Sequence, residues 1–130
     1  MPISIKATVS VQVPGVGTMS DTHTLEPVEA IDKIEVDVPK AADGGAAEVE
    51  VQPGGAGQVH LLLITADTYS DQLSYTVDGG AADVVLDGPQ LMVGAGAVSL
   101  LGPVQQKITF SNAASDAVKV QIVVGRDATP

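Results

Sequence analysis

Two histidines, His23 and His60, are the side chains best suited to proton transfer near neutral pH, so a Ser-His-Asp nucleophile set would need one of them. No Gly-x-Ser-x-Gly elbow accompanies either. His60 stands inside the apolar run Val59 to Ile64 and reads as a packed strand residue, whereas His23, two places after Asp21 in a polar run, reads as solvent-facing. The segment Gly94-Ala95-Gly96-Ala97-Val98-Ser99 follows Leu91-Met92-Val93 and begins like a dinucleotide fingerprint. Ser99 takes the third glycine position, and Pro103 stops any long helix. Small residues there suit close backbone approach instead, inside the fold or between subunits. Pro53 to Gly57 lacks the Lys-Ser/Thr of a phosphate loop.

Oxygen ligands for Ca²⁺ could come from Asp67-Thr68-Tyr69-Ser70-Asp71, or from Asp43, Asp78 and Asp87, each of which precedes a glycine. None shows the interleaved aspartates of a dedicated calcium loop. Asp before Gly is ordinary turn chemistry, because Asp tolerates left-handed backbone and caps its own turn. Stacking on sugars or bases needs exposed rings, and Tyr69 is the one ring placed in a candidate loop. No catalytic, cofactor or metal residue emerges, and the expectation is a protein that is not an enzyme.

The elements that would carry these residues are strands. Ile3, Ile5, Ala7, Val9, Val11 and Val13 alternate with Ser4, Lys6, Thr8, Ser10 and Gln12, a period of two that puts one apolar face on a long strand. That face is expected to be buried. Pro14 to Gly17 offers a turn, and Thr18 to Leu25 returns as a hairpin partner. Pro27 to Lys33 reads as a turn or short helix. Ile34, Val36 and Val38 give a half-buried strand, as do Val49 and Val51. Val59 to Thr65 is nearly continuous apolar sequence and the candidate central strand. Leu73 to Val77 and Asp83 to Leu86 read as one hairpin, and Ile108 and Phe110 with Val118 to Val124 as a terminal one. Eight or more short strands predict an all-β fold over residues 1–130, a single antiparallel β-sandwich or jelly-roll-like barrel.

Composition narrows the function classes. The chain has no Cys or Trp, one Phe and two Tyr, so disulfides and thiol chemistry are excluded and the core rests on aliphatic side chains. Subunit association is one way to gain the missing contact area, with a trimer as one expected form. The uncharged stretch Gly88 to Pro103 supplies the candidate interface Leu91, Met92, Val93, Val98, Leu100 and Leu101. Net charge is -10, and nine of the sixteen acids lie between Asp21 and Glu50, which disfavours nucleic acid as a partner. Met1-Pro2-Ile3 lacks a signal-peptide pattern and no apolar run reaches membrane-span length, so cytoplasmic synthesis without membrane insertion is expected.

An acidic, Gly/Ala/Val-rich β-domain without Cys, Trp or a catalytic set resembles the small accessory proteins, of the decoration or cement type, of tailed bacteriophage particles. The resemblance implies a virion location, no cofactor, and a role in stabilising a capsid through β-sheet-mediated assembly. The alternative expectation is a ligand-binding or adhesive β-sandwich with its site around Asp67 to Asp71.

Overall fold

The alternating runs fold as ten strands in a computed structural model that describes residues 3–28, 30–50, 59–77, 83–98 and 107–126. Strand β1 (Ile3–Val13) pairs antiparallel with β2 (Gly17–Val28) as a separate two-stranded ribbon. The remaining strands are β3 (Ala30–Val38), β4 (Ala46–Glu50), β5 (Val59–Ala66), β6 (Leu73–Val77), β7 (Val84–Val85), β8 (Gln90–Val93), β9 (Lys107–Asn112) and β10 (Val118–Arg126). They form two antiparallel sheets, one ordered β3-β10-β5-β8 and the other β4-β9-β6-β7. This is the sandwich-like all-β fold that the alternation predicts.

Alternation selects what lies between the sheets. Val118, Val120, Ile122 and Val124 of β10 face the same interior as Leu62 and Ile64 of β5, and meet Val49, Leu73, Tyr75, Val77, Ile108 and Phe110 of the other sheet. The two aromatic rings meet tilted at 49° with centroids 5.7 Å apart. Tyr75 Oη donates a hydrogen bond to Gln90 Oε1, and Gln90 Nε2 donates to Val85 O, so a polar clasp joins the sheets at their β6–β8 margin. Burial pushes the Tyr75 phenol up to about 12, because its anion would lose water it cannot replace there. Strand β5 lies inside its sheet between β10 and β8, as its apolar run predicts.

Three expectations differ from the structure. The described residues from Pro27 to Lys33 form no turn or short helix, since β2 runs to Val28 and β3 starts at Ala30, with Glu29 outside the described residues. Less than two helical turns cannot offset the nucleation cost, while ladders to Ile3 and to Arg126 keep the backbone extended at Val28 and from Ala30 on. The terminal pair is not a hairpin: β9 joins β4 and β6, whereas β10 joins β3 and β5. Period two reveals which face is buried but not which sheet receives the strand.

The third difference concerns β1. The strand and its apolar stripe are as predicted, but Val9, Val11 and Val13 are 43, 53 and 43 % exposed. The reason is topological. Both strands of the ribbon precede β3, so they can pair with each other without entering either sheet of the sandwich. Val51 and Asp78 lie outside the described residues.

Candidate functional site: an apolar arm and the outer face of one sheet

The residues suited to chemistry are dispersed among structural roles. His23 is exposed on β2 opposite Ala7, and His60 is half-buried in β5, where its carbonyl accepts a hydrogen bond from Gly94 N. Among the described residues no group of three or more His, Asp or Glu gathers as a metal site would require. Asp67 Oδ1 accepts from Lys119 N at 3.1 Å, and Asp67 N donates to Lys119 O at 3.0 Å. Tyr69 Oη accepts from Ala66 N, and Ser70 Oγ from Gln72 N. The Asp67 to Asp71 loop therefore uses its side-chain oxygens to hold its own path against β10. Asp43 ends the short 3-10 turn Ala41–Asp43 and is exposed, as is Asp87.

The glycine-rich segment after β8 forms a single helical turn, α1 (Ala95–Val98). Gly94 takes φ +96°, a conformation that favours glycine, and its carbonyl accepts from Ala97 N and Val98 N. Val98 is buried in the core and Met92 packs against it. Leu91 and Val93 point to the opposite face of the sheet, Leu91 exposed and Val93 half-buried. Leu100 and Leu101 lie outside the described residues, as does Pro53 to Gly57. The run that reads as one candidate interface is thus divided by strand alternation, and Leu91 and Val93 alone are placed on the outer face.

That outer face continues across the sheet. Register places Val93 beside Leu61, Leu91 beside Leu63, Leu63 beside Val123, and Ile31 beside Gly125. None of these apolar side chains belongs to the core cluster. Ile31 is 44 % exposed and Leu91 37 %. Towards the other end the same face turns polar, with Glu35, Asp37, Lys119 and Gln121, and Gln121 Nε2 donates to Glu35 Oε1. Lys33, paired with Val123, marks the border.

The ribbon β1–β2 is the second half of the site. Val13-Pro14-Gly15-Val16 makes its turn, with Val16 N donating to Val13 O, Pro14 fixing the first corner and Gly15 at φ +82° supplying the second. Cross-strand neighbours share a face, so Val11 with Met19, Val9 with Asp21 and Ala7 with His23 line one side. Thr8 with Thr22, Ser10 with Ser20 and Gln12 with Thr18 line the other, and the two threonine hydroxyls lie within hydrogen-bond distance. At the tip Val16 is 83 % and Met19 78 % exposed. Val11, Val13, Val16, Gly17, Thr18 and Met19 outline a shallow apolar depression there. Nearer the base a cleft of about 270 Å³ opens between Ala7, Val9, Asp21 and His23 of the arm and Val93 of the sheet.

The alternation locates the arm's stripe and implies that this face is buried. Period two alone is silent on whether a third layer arrives to cover it. Compared with known protein families and curated proteins, the chain matches no family model and shows no significant similarity.

Proposed function

We propose that the protein is a non-enzymatic structural component that works through protein–protein contacts, as the decoration-type accessory proteins of phage particles do. The observation that carries this reading is the exposed apolar stripe of the β1–β2 arm. An isolated two-stranded ribbon is marginal in water, and an apolar patch of several hundred Å² on a soluble domain marks an interaction surface. The arm pairs with neither sheet of the sandwich, and none of the described core residues comes from it. The alternative of a ligand site around Asp67 to Asp71 draws less support, because the oxygens of Asp67, Tyr69 and Ser70 already accept internal hydrogen bonds.

The test is density-gradient sedimentation of the native protein from its source. The expected result is co-migration with a large protein assembly at a fixed copy ratio. Migration solely as a small free species, together with saturable binding of a small ligand or catalytic turnover, would contradict the reading.

A further inference from the structure

Resting on that reading, we infer that the partner of the arm is a second copy of this chain: the apolar tip of one copy's β1–β2 arm seats on the apolar outer face of the other copy's β3-β10-β5-β8 sheet. Both halves of the contact are present on one molecule. The arm offers Val11, Val16 and Met19, and the sheet offers Ile31 and Leu91 with Leu63 and Val123 between them. Val93 is the sheet residue that lines the cleft with the chain's own arm base, which leaves Ile31 and Leu91 exposed.

Charge supports self-association at this place and opposes it elsewhere. The chain carries a formal charge of -10, yet residues 3–25 contain one Lys, one Asp and no other Lys, Arg, Asp or Glu, so the arm approaches an acidic copy without net repulsion. Asp21, the acid on the arm's apolar side, is answered by Lys33, the exposed cation bordering the sheet's apolar end.

Area decides how the copies must be arranged. The five exposed apolar residues of the arm present roughly 500 Å², but among the described residues of the sheet's apolar end only Ile31 and Leu91 are more than about a third exposed, so one arm on one sheet buries well under roughly 1,000 Å² counting both sides, below the lower limit for a specific interface. Reciprocal exchange, in which each copy gives an arm and receives one, doubles this area and brings the pair towards the roughly 1,200 Å² at which specific interfaces begin. A contact between two different patches must close on itself or grow without limit, and mutual exchange closes it.

The experiment measures the mass of the full chain in solution across a concentration series, alone and in mixtures. Wild type is expected to be a closed oligomer. A double variant Val11→Asp/Met19→Asp and a separate variant Leu91→Asp should each be monomeric while keeping the wild-type β-sheet circular-dichroism spectrum. Mixed together they should form a heterodimer at raised concentration, because the intact arm of the second still fits the intact sheet of the first. Thr8→Asp, on the hydroxyl face, should leave the oligomer intact. A wild type that stays monomeric at every concentration overturns the self-contact but leaves the particle reading to the gradient experiment. An oligomer that survives Leu91→Asp, or monomeric variants that fail to complement, overturns the arm-on-sheet geometry, and so does loss of assembly in Thr8→Asp.

Discussion

Replacing Asn112 by Ala should destabilise the sandwich more than any loop position in the sequence would suggest. Asn112 ends β9, is 3 % exposed, and ties the β9–β10 connection to the backbone just after β3. Its Nδ2 donates to Pro39 O at 3.2 Å and to Asp116 O at 2.9 Å, and its Oδ1 accepts from Ala114 N at 2.9 Å. Those bonds hold the connection from β9 to β10 where it crosses from one sheet to the other, next to the end of β3. Asp116 is exposed, so water can replace the bond its carbonyl loses. Pro39 and Ala114 are half-buried, and each orphaned group costs about 1 kcal/mol, to which the space vacated by the amide adds a similar amount. The expected loss is about 2–3 kcal/mol, or about 10 °C in the melting midpoint for a domain of this size. Asn112→Asp should be worse than Asn112→Ala, since a carboxylate would face two carbonyl oxygens where the amide donated. Urea unfolding with an unchanged denaturant slope is the assay. A loss under about 0.5 kcal/mol for Asn112→Ala, or a milder effect of Asn112→Asp, would show that these bonds do not hold the connection in place.

Gly45 has φ +62°, and a Cβ there would collide with the backbone carbonyl of Asn112, so Gly45→Ala should cost about 3 kcal/mol or more in urea unfolding. Gly15→Ala, at φ +82° but with open space around it, should cost only about 1 kcal/mol and act on the arm turn alone. Tyr75 ionises at about 12 in the folded protein and at its ordinary value near 10 when unfolded. Its contribution to stability is therefore complete below pH 10 and lost as pH rises through about 12. Tyrosinate absorbance of the native protein, compared with Tyr75→Phe, should reveal this late titration; a Tyr75 signal complete near pH 10 while the fold persists would contradict it.

The sequence makes most of the strands legible because alternation is a local property. Val120, Ile122 and Val124 point inward wherever β10 is placed, and the buried run of β5 implies an interior position in its sheet. Sheet membership is a long-range property. Nothing in Lys107 to Asn112 or Val118 to Arg126 specifies that these strands belong to opposite sheets, and the decisive residue, Asn112, looks like an ordinary turn former. The same limit applies to the candidate site. Val9, Val11 and Val13 carry a stripe as regular as that of β10, but only topology shows that no other described strand pairs with or covers this ribbon. Leu91 was visible as part of an apolar run, whereas the contribution of Ile31 and Val123 to the same face depends on register between strands far apart in sequence.

The proposed function makes the stripe on β1 an assembly surface and not a core face. The direct measurement is the urea midpoint of Val11→Asp beside that of Val120→Asp, taken at a concentration dilute enough for the wild type to be monomeric. Val120 is fully buried, and an unpaired carboxylate there should cost about 4 kcal/mol or more, enough to unfold much of the population. Val11 is half exposed on the arm, so its substitution should shift the monomer by no more than about 0.5 kcal/mol while abolishing association at higher concentration. Equal destabilisation of the dilute monomer by the two substitutions would contradict the claim, because it would require the chain's own core to cover Val11.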